Sequence, residues 1–353
     1  AFAGGVTRSS MPIEMPALVA NMSLAPGCRL EQGFDTYAVM AKQDERDIPK
    51  TMLSLTQAAV KGHKRLVTWT HFMTPHQPYT PTAELAARYH GQLGQPADNK
   101  FLYDRHRDGK VDEALRETVR GMYDGEVRQA SDYVREFLSG LDAQYRSAGR
   151  GGLLQNAVVV FFADHGEELG DRHGYFMHAK SLYSGVIHVP LLVIGPGWTA
   201  GERRAPALEL GEVLPMVLDG RTPERTLFFS AWKAGFYAVR DERWTLVHNP
   251  GDDRAGPEEP PLDAAYPYPV LALYDRFSDP QEQTDVSAQH PAEAKRLLAE
   301  LGRWYDGLLI VDSLEAVSDP KVLAALGYVE VTGASARLRP LAVDPWPPQP
   351  ILH

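Results

Sequence analysis

Three short apolar runs along the chain have the composition of β-strands. They cover residues 66–70, 157–163 and 189–194, and they are rich in Val, Ile, Leu or Phe. Short continuous apolar runs are typical of strands that are buried on both faces of a parallel sheet. The pattern therefore predicts three central parallel strands.

A long amphipathic helix is predicted between the first two of these runs. Within residues 112–141 the apolar side chains recur with a period of about 3.6 residues. The order strand, helix, strand is typical of an α/β fold with a doubly wound, mostly parallel sheet and helices on its faces. In such sheets the chemistry lies beyond the carboxyl ends of the strands.

The pattern changes after residues 195–197, where shorter alternating runs begin. These runs predict a smaller antiparallel sheet, formed by residues 226–231, 236–240 and 243–248. Pro291 suits the first turn of a later helix. We therefore expect three parts, an α/β domain over residues 1–220, a C-terminal α+β subdomain over residues 221–335 and a Pro-rich tail over residues 336–353.

Composition and charge exclude several classes of protein. Of the 353 residues, 44% are hydrophobic and 23% are charged, as in ordinary globular proteins. The net charge of −10 argues against a nucleic-acid partner, because such proteins usually present a basic surface. No apolar run approaches the roughly 18–20 residues of a membrane span. The single Cys28 excludes an intrachain disulfide, and the compartment and any homo-oligomer stay open.

A metal site is one interpretation of the segment that follows the second apolar run. Residues 157–163 lead directly into Asp164-His165-Gly166-Glu167. A strand that delivers an aspartate and a histidine at its carboxyl end, before a glycine that lets the backbone turn, places two metal-ligand types at the active edge of the sheet. The same pattern also fits a strand end whose polar residues only face solvent.

Histidines also follow the first apolar run. His71 and His76 lie in a segment that contains Pro75 and Pro78, and they are expected to hang over the same sheet edge. An imidazole there could donate a proton to a leaving oxygen or bind an anion. Taken alone, each is more often an ordinary surface histidine.

Cationic side chains form the third candidate cluster. His173, His178 and Lys180 precede the run at residues 189–194. An anionic oxygen of a group that is being transferred needs such donors. Charged side chains that only face solvent in a loop would give the same sequence pattern. Three such segments at one sheet edge favour a shared site more than any one of them does.

These residues resemble a known family. The segments Asp164 to Gly170, His173-Gly174 and His178 to Tyr183 are similar in spacing to the second signature block of the sulfatases, which belong to the alkaline phosphatase superfamily. Pro75-His76-Gln77-Pro78 resembles the histidine segment of that family. The closing leucine-glycine-tyrosine motif of the family resembles residues 326–328, so the likeness covers roughly residues 17–330.

The resemblance implies a metal-dependent hydrolase of sulfate esters, acting on a small-molecule or carbohydrate sulfate. Asp164 and His165 would bind one divalent metal ion, which would be calcium as in many members, whereas an aspartate-histidine pair also suits manganese or zinc. By the same resemblance, His76 would contact the leaving oxygen, and His178 with Lys180 would hold the sulfuryl oxygens. The two other candidate histidines, His71 and His173, would bind substrate.

Two elements of the family pattern are not found in this sequence. The family opens with a strand that ends in two aspartates, followed by a Cys or Ser nucleophile within a Cys/Ser-x-Pro-Ser-Arg motif, and residues 10–14 and Cys28 match it poorly. We therefore expect a chain truncated at its N-terminus, which would be inert without the nucleophile. A phosphodiester or phosphonate hydrolase of the same superfamily, and a sulfatase-like protein without catalysis, are the alternatives.

Overall fold

The structure is a computed structural model that describes residues 12–26, 30–172, 174–178, 181–202, 208–220, 225–232, 236–249 and 269–307. The chain divides into two compact units. Among the described residues, the first unit comprises residues 12–162 and 191–201, and the second comprises residues 163–190 and 202–307. The predicted division at residue 220 stays a prediction.

The described residues form short strands and helices. In chain order the strands are β1 (Ile13–Glu14), β2 (Pro16–Val19), β3 (Thr36–Val39), β4 (Arg65–Leu66), β5 (Trp69–His71), β6 (Val159–Phe162), β7 (Glu168–Leu169), β8 (Phe176–Met177), β9 (Leu191–Ile194), β10 (Phe228–Trp232), β11 (Phe236–Arg240), β12 (Trp244–His248) and β13 (Leu271–Asp275). The α-helices are α1 (Ile48–Lys61), α2 (Ala83–Arg88), α3 (Asn99–Arg107), α4 (Glu113–Ser147), α5 (Leu153–Asn156), α6 (Ser184–Ile187), α7 (Val213–Asp219) and α8 (Pro291–Asp306). Helices of the 3-10 type cover Met22–Leu24, Lys42–Asp47 and Leu210–Glu212.

The first unit contains a parallel sheet. In this sheet β2 lies between β3 and β5, and all four residues of β2 are buried. A separate parallel pair is formed by β1 and β4. The strand predicted at residues 66–70 is therefore divided between β4 and β5, and β5 ends at His71.

The predicted long helix is confirmed as α4, which has 35 residues. It begins after Asp112, whose carboxylate accepts a hydrogen bond from the Leu115 amide at 2.8 Å, as a good N-cap does. One stripe of α4 packs on α1, because its apolar residues share one face, and Leu18 of β2 belongs to the same core. The core at this contact comprises Leu18, Ala20, Ile48, Met52, Val60, Met73, Phe137, Leu141, Tyr145 and Leu153.

The strands β6 and β9 confirm two predicted strands, but their predicted parallel arrangement is wrong. They pair with each other in antiparallel register, with Val159 opposite Ile194. A parallel pair needs a long crossover, usually a helix, whereas the described residues between these strands form only β7, β8 and the four-residue α6. Nor are they fully buried, since Phe161 and Phe162 are each 42% exposed.

The second unit contains the predicted antiparallel sheet. The strands β10, β11, β12 and β13 follow one another across it, each antiparallel to its neighbour. Pro291 lies in the first turn of α8, which confirms the predicted start of that helix. The helix packs on the sheet through a core that comprises Tyr237, Val239, Trp244, Leu246, Leu273, Ala294, Leu297, Leu301 and Tyr305.

Several predictions concern residues outside the described ranges. These are the tail over residues 336–353, the motif at residues 326–328, Cys28, His173 and Lys180. Among the helices that the structure does describe, none combines the length and the apolar character needed to cross a bilayer.

Candidate active site

The histidine loop, which we define as residues 72–80, begins where β5 ends at His71. Its His76 ring is oriented by the main chain, because Nδ1 lies 2.7 Å from the carbonyl oxygen of Gln77. If Nδ1 carries the proton, it donates to that carbonyl, and Nε2 is then the nitrogen with a lone pair. Both predicted histidines of this segment therefore lie in the first unit, at and after the end of a parallel strand.

Charged side chains surround the main chain of the histidine loop. The Lys42 ammonium donates to the carbonyl oxygens of His76 and Pro78 and lies 3.0 Å from the carboxylate of Glu126. Glu45 accepts hydrogen bonds from the amides of Met73 and Thr74. Burial raises the pKa of Glu45 and of Glu126, while these bonds and Lys42 oppose the shift.

The predicted metal doublet follows β6 directly. Asp164 Oδ2 lies 3.8 Å from His165 Nε2, and the Asp164 side chain is 69% exposed. His165 Nδ1 lies 2.9 Å from the carbonyl oxygen of Gly166. A backbone carbonyl at Nδ1 selects the tautomer that leaves Nε2 as the ligand atom, as in most metal-binding histidines.

Gly166 is required by a close approach of two backbone segments. Its amide donates to Val186 O at 2.6 Å, and the Glu167 amide donates to Gly185 O at 3.0 Å. A Cβ at residue 166 would lie 2.0 Å from Gly185 O. The glycine therefore lets the doublet segment pack on the start of α6.

His178 joins this cluster. Its Nδ1 lies 3.0 Å from Glu167 Oε1, and both side chains are buried. Its ring stacks on that of His165, with the ring centroids 3.9 Å apart. The structure thus brings together Asp164, His165, Glu167 and His178. Glu167 was not predicted, although it stands in the quoted motif, because a local pattern does not show which acid faces which histidine.

A buried polar network connects the same segment to the antiparallel sheet. The Glu282 carboxylate accepts hydrogen bonds from the Ser184 amide at 2.8 Å, from the Arg240 guanidinium at 2.9 Å and from the Thr245 hydroxyl at 2.7 Å. Arg172 stacks on the Tyr183 ring at 3.7 Å and donates to the main chain at residue 281. These contacts hold Tyr183 and Ser184 at the start of α6.

Burial changes the acidity of two groups in this network. Glu168 accepts a hydrogen bond from the Ser181 hydroxyl at 2.7 Å, but burial raises its pKa to about 7. Burial also lowers the pKa of Arg240 to about 10, against the opposing effect of Glu282. Arg240 is therefore still cationic at neutral pH.

The donors available for a metal ion are a carboxylate oxygen and an imidazole nitrogen. Two ligands on one divalent ion lie roughly 3–4 Å apart when each is about 2.0–2.4 Å from it, and the Asp164–His165 separation of 3.8 Å fits this. Within the described ranges, no group of three or more His, Cys, Asp or Glu side chains could hold a metal ion. The doublet therefore fits as part of a ligand set.

The two histidine-bearing segments belong to different units. The predicted meeting of His71 and His76 with Asp164, His165 and His178 stays a prediction, as do the roles of His173 and Lys180.

Comparison with curated proteins reveals relatives among the sulfatases. The chain is 23% identical over 229 residues to arylsulfatase K of Canis lupus familiaris, which covers 56% of this chain and 38% of the relative. Arylsulfatase K of Xenopus laevis is 25% identical over 240 residues, which covers 58% of this chain and 40% of the relative. The chain thus matches about two fifths of the length of these relatives.

Solved structures share the fold. The BT4656 protein in complex with D-glucosamine-2-N,6-O-disulfate has a TM-score of 0.52 at 15% identity, covering 84% of this chain and 80% of that one. The yidJ protein of Bacteroides fragilis has a TM-score of 0.51 at 14% identity, covering 81% and 61%. These likenesses confirm the predicted α/β fold.

The family model described as Sulfatase matches residues 21–219, which is more than half of the chain. The matched range contains both the histidine loop and the cluster around Asp164. The protein therefore belongs to the sulfatase family.

Proposed function

We propose that the protein hydrolyses sulfate esters of carbohydrates or small molecules in a metal-dependent reaction. The observation that supports this most is the cluster of Asp164, His165, Glu167 and His178 in a chain of the sulfatase family. It combines two metal-ligand types with an oriented imidazole, next to the end of a strand. Metal dependence is general in this family.

Asp164 and His165 would hold the divalent ion. When bound, the ion would supply positive charge to the oxygens of the sulfuryl group. The Gly166 carbonyl at Nδ1 holds the His165 ring so that Nε2 lies on the side of Asp164. Because the pair mixes oxygen and nitrogen, manganese and zinc suit it as well as calcium does.

His178, with a proton on Nε2 as well as on Nδ1, would donate to a sulfuryl oxygen together with Lys180. The Glu167 carboxylate accepts from Nδ1 at 3.0 Å, and this bond directs Nε2 of the buried ring to the opposite side. A carboxylate that orients a histidine in this way is a familiar device of hydrolytic sites. Preorganised donors for the oxygens that gain charge supply the largest part of the rate enhancement in many enzymes.

His76 would act in its doubly protonated form, in which Nδ1–H donates to the Gln77 carbonyl and Nε2–H supplies the proton that the leaving oxygen needs. His71 and His173 would be further substrate contacts. The Gln77 carbonyl at Nδ1 holds the His76 ring in one orientation, as a general acid requires. The nucleophile is left unassigned, because no part of residues 1–353 matches the family's nucleophile motif.

Phosphodiester or phosphonate hydrolysis is the second candidate. The Asp164–His165 pair supports it, because mixed oxygen and nitrogen ligands suit the transition metals that phosphoryl-transfer enzymes use. Both candidate functions use the same metal site, and they differ in whether a sulfate ester or a phosphorus ester is cleaved.

The test is an assay of the longest protein that the gene encodes, with 4-nitrophenyl sulfate and bis(4-nitrophenyl) phosphate. After EDTA treatment, calcium, manganese or zinc is returned separately. We expect sulfate ester cleavage that is lost with EDTA and restored by one metal. The Asp164→Ala variant should lose at least about 100-fold in kcat/KM, while the exposed control Asp219→Ala should keep it.

Three outcomes would contradict the proposal. Cleavage of the phosphodiester alone would favour the second candidate. Full turnover by Asp164→Ala would show that the metal assignment is wrong. No turnover of either ester would favour a sulfatase-like protein without catalysis.

A further inference from the structure

The histidine loop has few regular backbone partners of its own. Pro75 and Pro78 have no amide hydrogen, and the described hydrogen bonds from the loop to other main chain include the Tyr79 amide to Ala97 O at 3.2 Å. Buried backbone groups must nevertheless be paired. In this loop, charged side chains supply much of the pairing.

Glu45 pairs the first part of the loop. Its side-chain oxygens accept from the Met73 amide and from the Thr74 amide, the latter at 3.1 and 3.2 Å. Glu45 is only 2% exposed. A buried carboxylate that accepts several amide hydrogen bonds holds those amides in one arrangement.

Lys42 pairs the middle of the loop. It lies one turn before Glu45 in the 3-10 helix Lys42–Asp47, and its ammonium donates to the carbonyls of His76 and Pro78. It therefore contacts the main chain on both sides of Gln77, whose own carbonyl orients the His76 ring.

Glu126 of α4 pairs the end of the loop. Its Oε1 accepts from the Thr80 amide at 2.6 Å, and its Oε2 lies 3.0 Å from Lys42 Nζ. The Glu126 side chain is 1% exposed. Along the loop, the carboxylates of Glu45 and Glu126 thus accept hydrogen bonds from amides, and the Lys42 ammonium donates to carbonyl oxygens.

We propose that Lys42, Glu45 and Glu126, which we call the charged bracket, are positioning residues that set the direction of the His76 ring. This inference rests on the proposed function for the statement that His76 acts on the leaving oxygen. Replacing a buried ion pair by apolar groups is often neutral for stability, so a stabilising role alone does not require these charges. Each of the three side chains contacts the main chain of the loop, and the path of that main chain determines where the His76 side chain points.

The decisive variant is the double substitution Lys42→Met with Glu126→Gln. It removes the Lys42–Glu126 pair as a whole, so Glu126 is not left as an unpaired buried charge, as it would be in Lys42→Met alone. Lys42→Arg is the conservative variant, and Asp44→Asn, exposed on the same 3-10 helix, is the matched control. Folding of each variant is checked by circular dichroism and thermal unfolding.

The first readout is the NMR signal of the His76 ring nitrogens in the 353-residue chain. We expect the double variant to lose the single tautomer of His76 while the His178 signals stay unchanged. Lys42→Arg, which keeps the positive charge, should keep part of the wild-type pattern of His76 signals. Unchanged His76 signals in a folded double variant would overturn the proposal.

The second readout is kinetic and uses the active form of the protein. We expect kcat to fall about 10- to 100-fold with KM changed less than about 3-fold, because a misplaced acid affects the transition state. If the His76 signals change in the double variant but the wild type cleaves no sulfate ester, the charged bracket still orients the ring and the proposed function is wrong. Changed signals with unaltered kcat would show that the bracket does not position a reacting group.

Discussion

The histidine loop and the segment from Asp164 to α6 carry the two halves of the proposed chemistry, and they are held in different ways. In the histidine loop, charged side chains contact the main chain. In the later segment, side chains chiefly contact one another, as in the His178–Glu167 and Ser181–Glu168 pairs. Prolines explain part of the difference, because they remove backbone donors and leave carbonyls that need other partners.

The comparison teaches where a single substitution should have its largest effect. The buried network around Glu282 connects one carboxylate with Arg240, Thr245 and Ser184, so its loss affects several partners. The charged bracket distributes its contacts over three side chains, and each loss should be smaller.

Glu282→Ala should give the largest loss of stability, about 3–5 kcal/mol, because it leaves the buried Arg240 cation without its partner. The Arg240 and Glu282 side chains are 9% and 0% exposed. Urea unfolding followed by tryptophan fluorescence measures the effect. The control is Glu300→Ala on α8, where the exposed pair with Arg303 should contribute less than about 1 kcal/mol. Equal losses in both variants would show that the buried network around Glu282 contributes no more to stability than an exposed ion pair does.

Glu168→Gln should alter the dependence of stability on pH. Burial raises the pKa of Glu168 from 4.5 to about 7, so the folded protein keeps a proton there that the unfolded chain releases. The free energy of unfolding of the wild type therefore falls as the pH rises from 4.5 to 7, by about 3 kcal/mol from this group.

The Glu168→Gln variant lacks this titration but keeps an oxygen for the Ser181 hydroxyl. It should therefore be more stable than the wild type at pH 8 and similar to it at pH 4.5, as thermal unfolding at both values would show. Glu84→Gln, exposed on α2, is the control. Parallel pH profiles for wild type and Glu168→Gln would contradict the raised pKa.

Glu45→Gln should cost about 1 kcal/mol, because glutamine offers one acceptor oxygen where the carboxylate offers two, while the loss of a buried charge offsets part of the effect. The change should be local to the histidine loop. Hydrogen exchange should show faster exchange at the Met73 or Thr74 amide, with the α4 amides unchanged. Equal acceleration throughout the first unit would mean that Glu45 supports the whole core instead.

Arg128→Ala should have the smallest effect, about 0.5 kcal/mol or less, because its pair with Asp132 is an exposed i, i+4 contact on α4. Thermal unfolding at low and high salt measures it, and high salt should remove the difference. A loss as large as that of Glu45→Gln would show that exposed pairs matter as much as buried ones in this unit.

Local patterns were sufficient for the elements with a strong period or a clear terminus. The apolar stripe of α4, the proline at the start of α8 and the alternating runs of β10, β11 and β12 are all present in the structure. The position of Asp164 and His165 directly after β6 was predicted in the same way, because a strand and the residues that follow it are adjacent in the chain. Their role as metal ligands stays a prediction. The antiparallel pairing of β6 with β9 was not found, because pairing depends on the path of the chain between strands.

By itself the sequence determined the family, the main helices and strands, and the chemical types available at their ends, since these depend on neighbouring residues. Only the tertiary structure decided that Glu167 faces His178, that Glu282 joins Ser184 to Arg240, and that Lys42 and Glu126 meet at the histidine loop. Lys42 and Glu126 are 84 positions apart. The sequence alone does not show which charged residues of Lys42–Asp47 are buried, because charged residues are usually exposed. Their burial and pairing depend on which segments fold against each other.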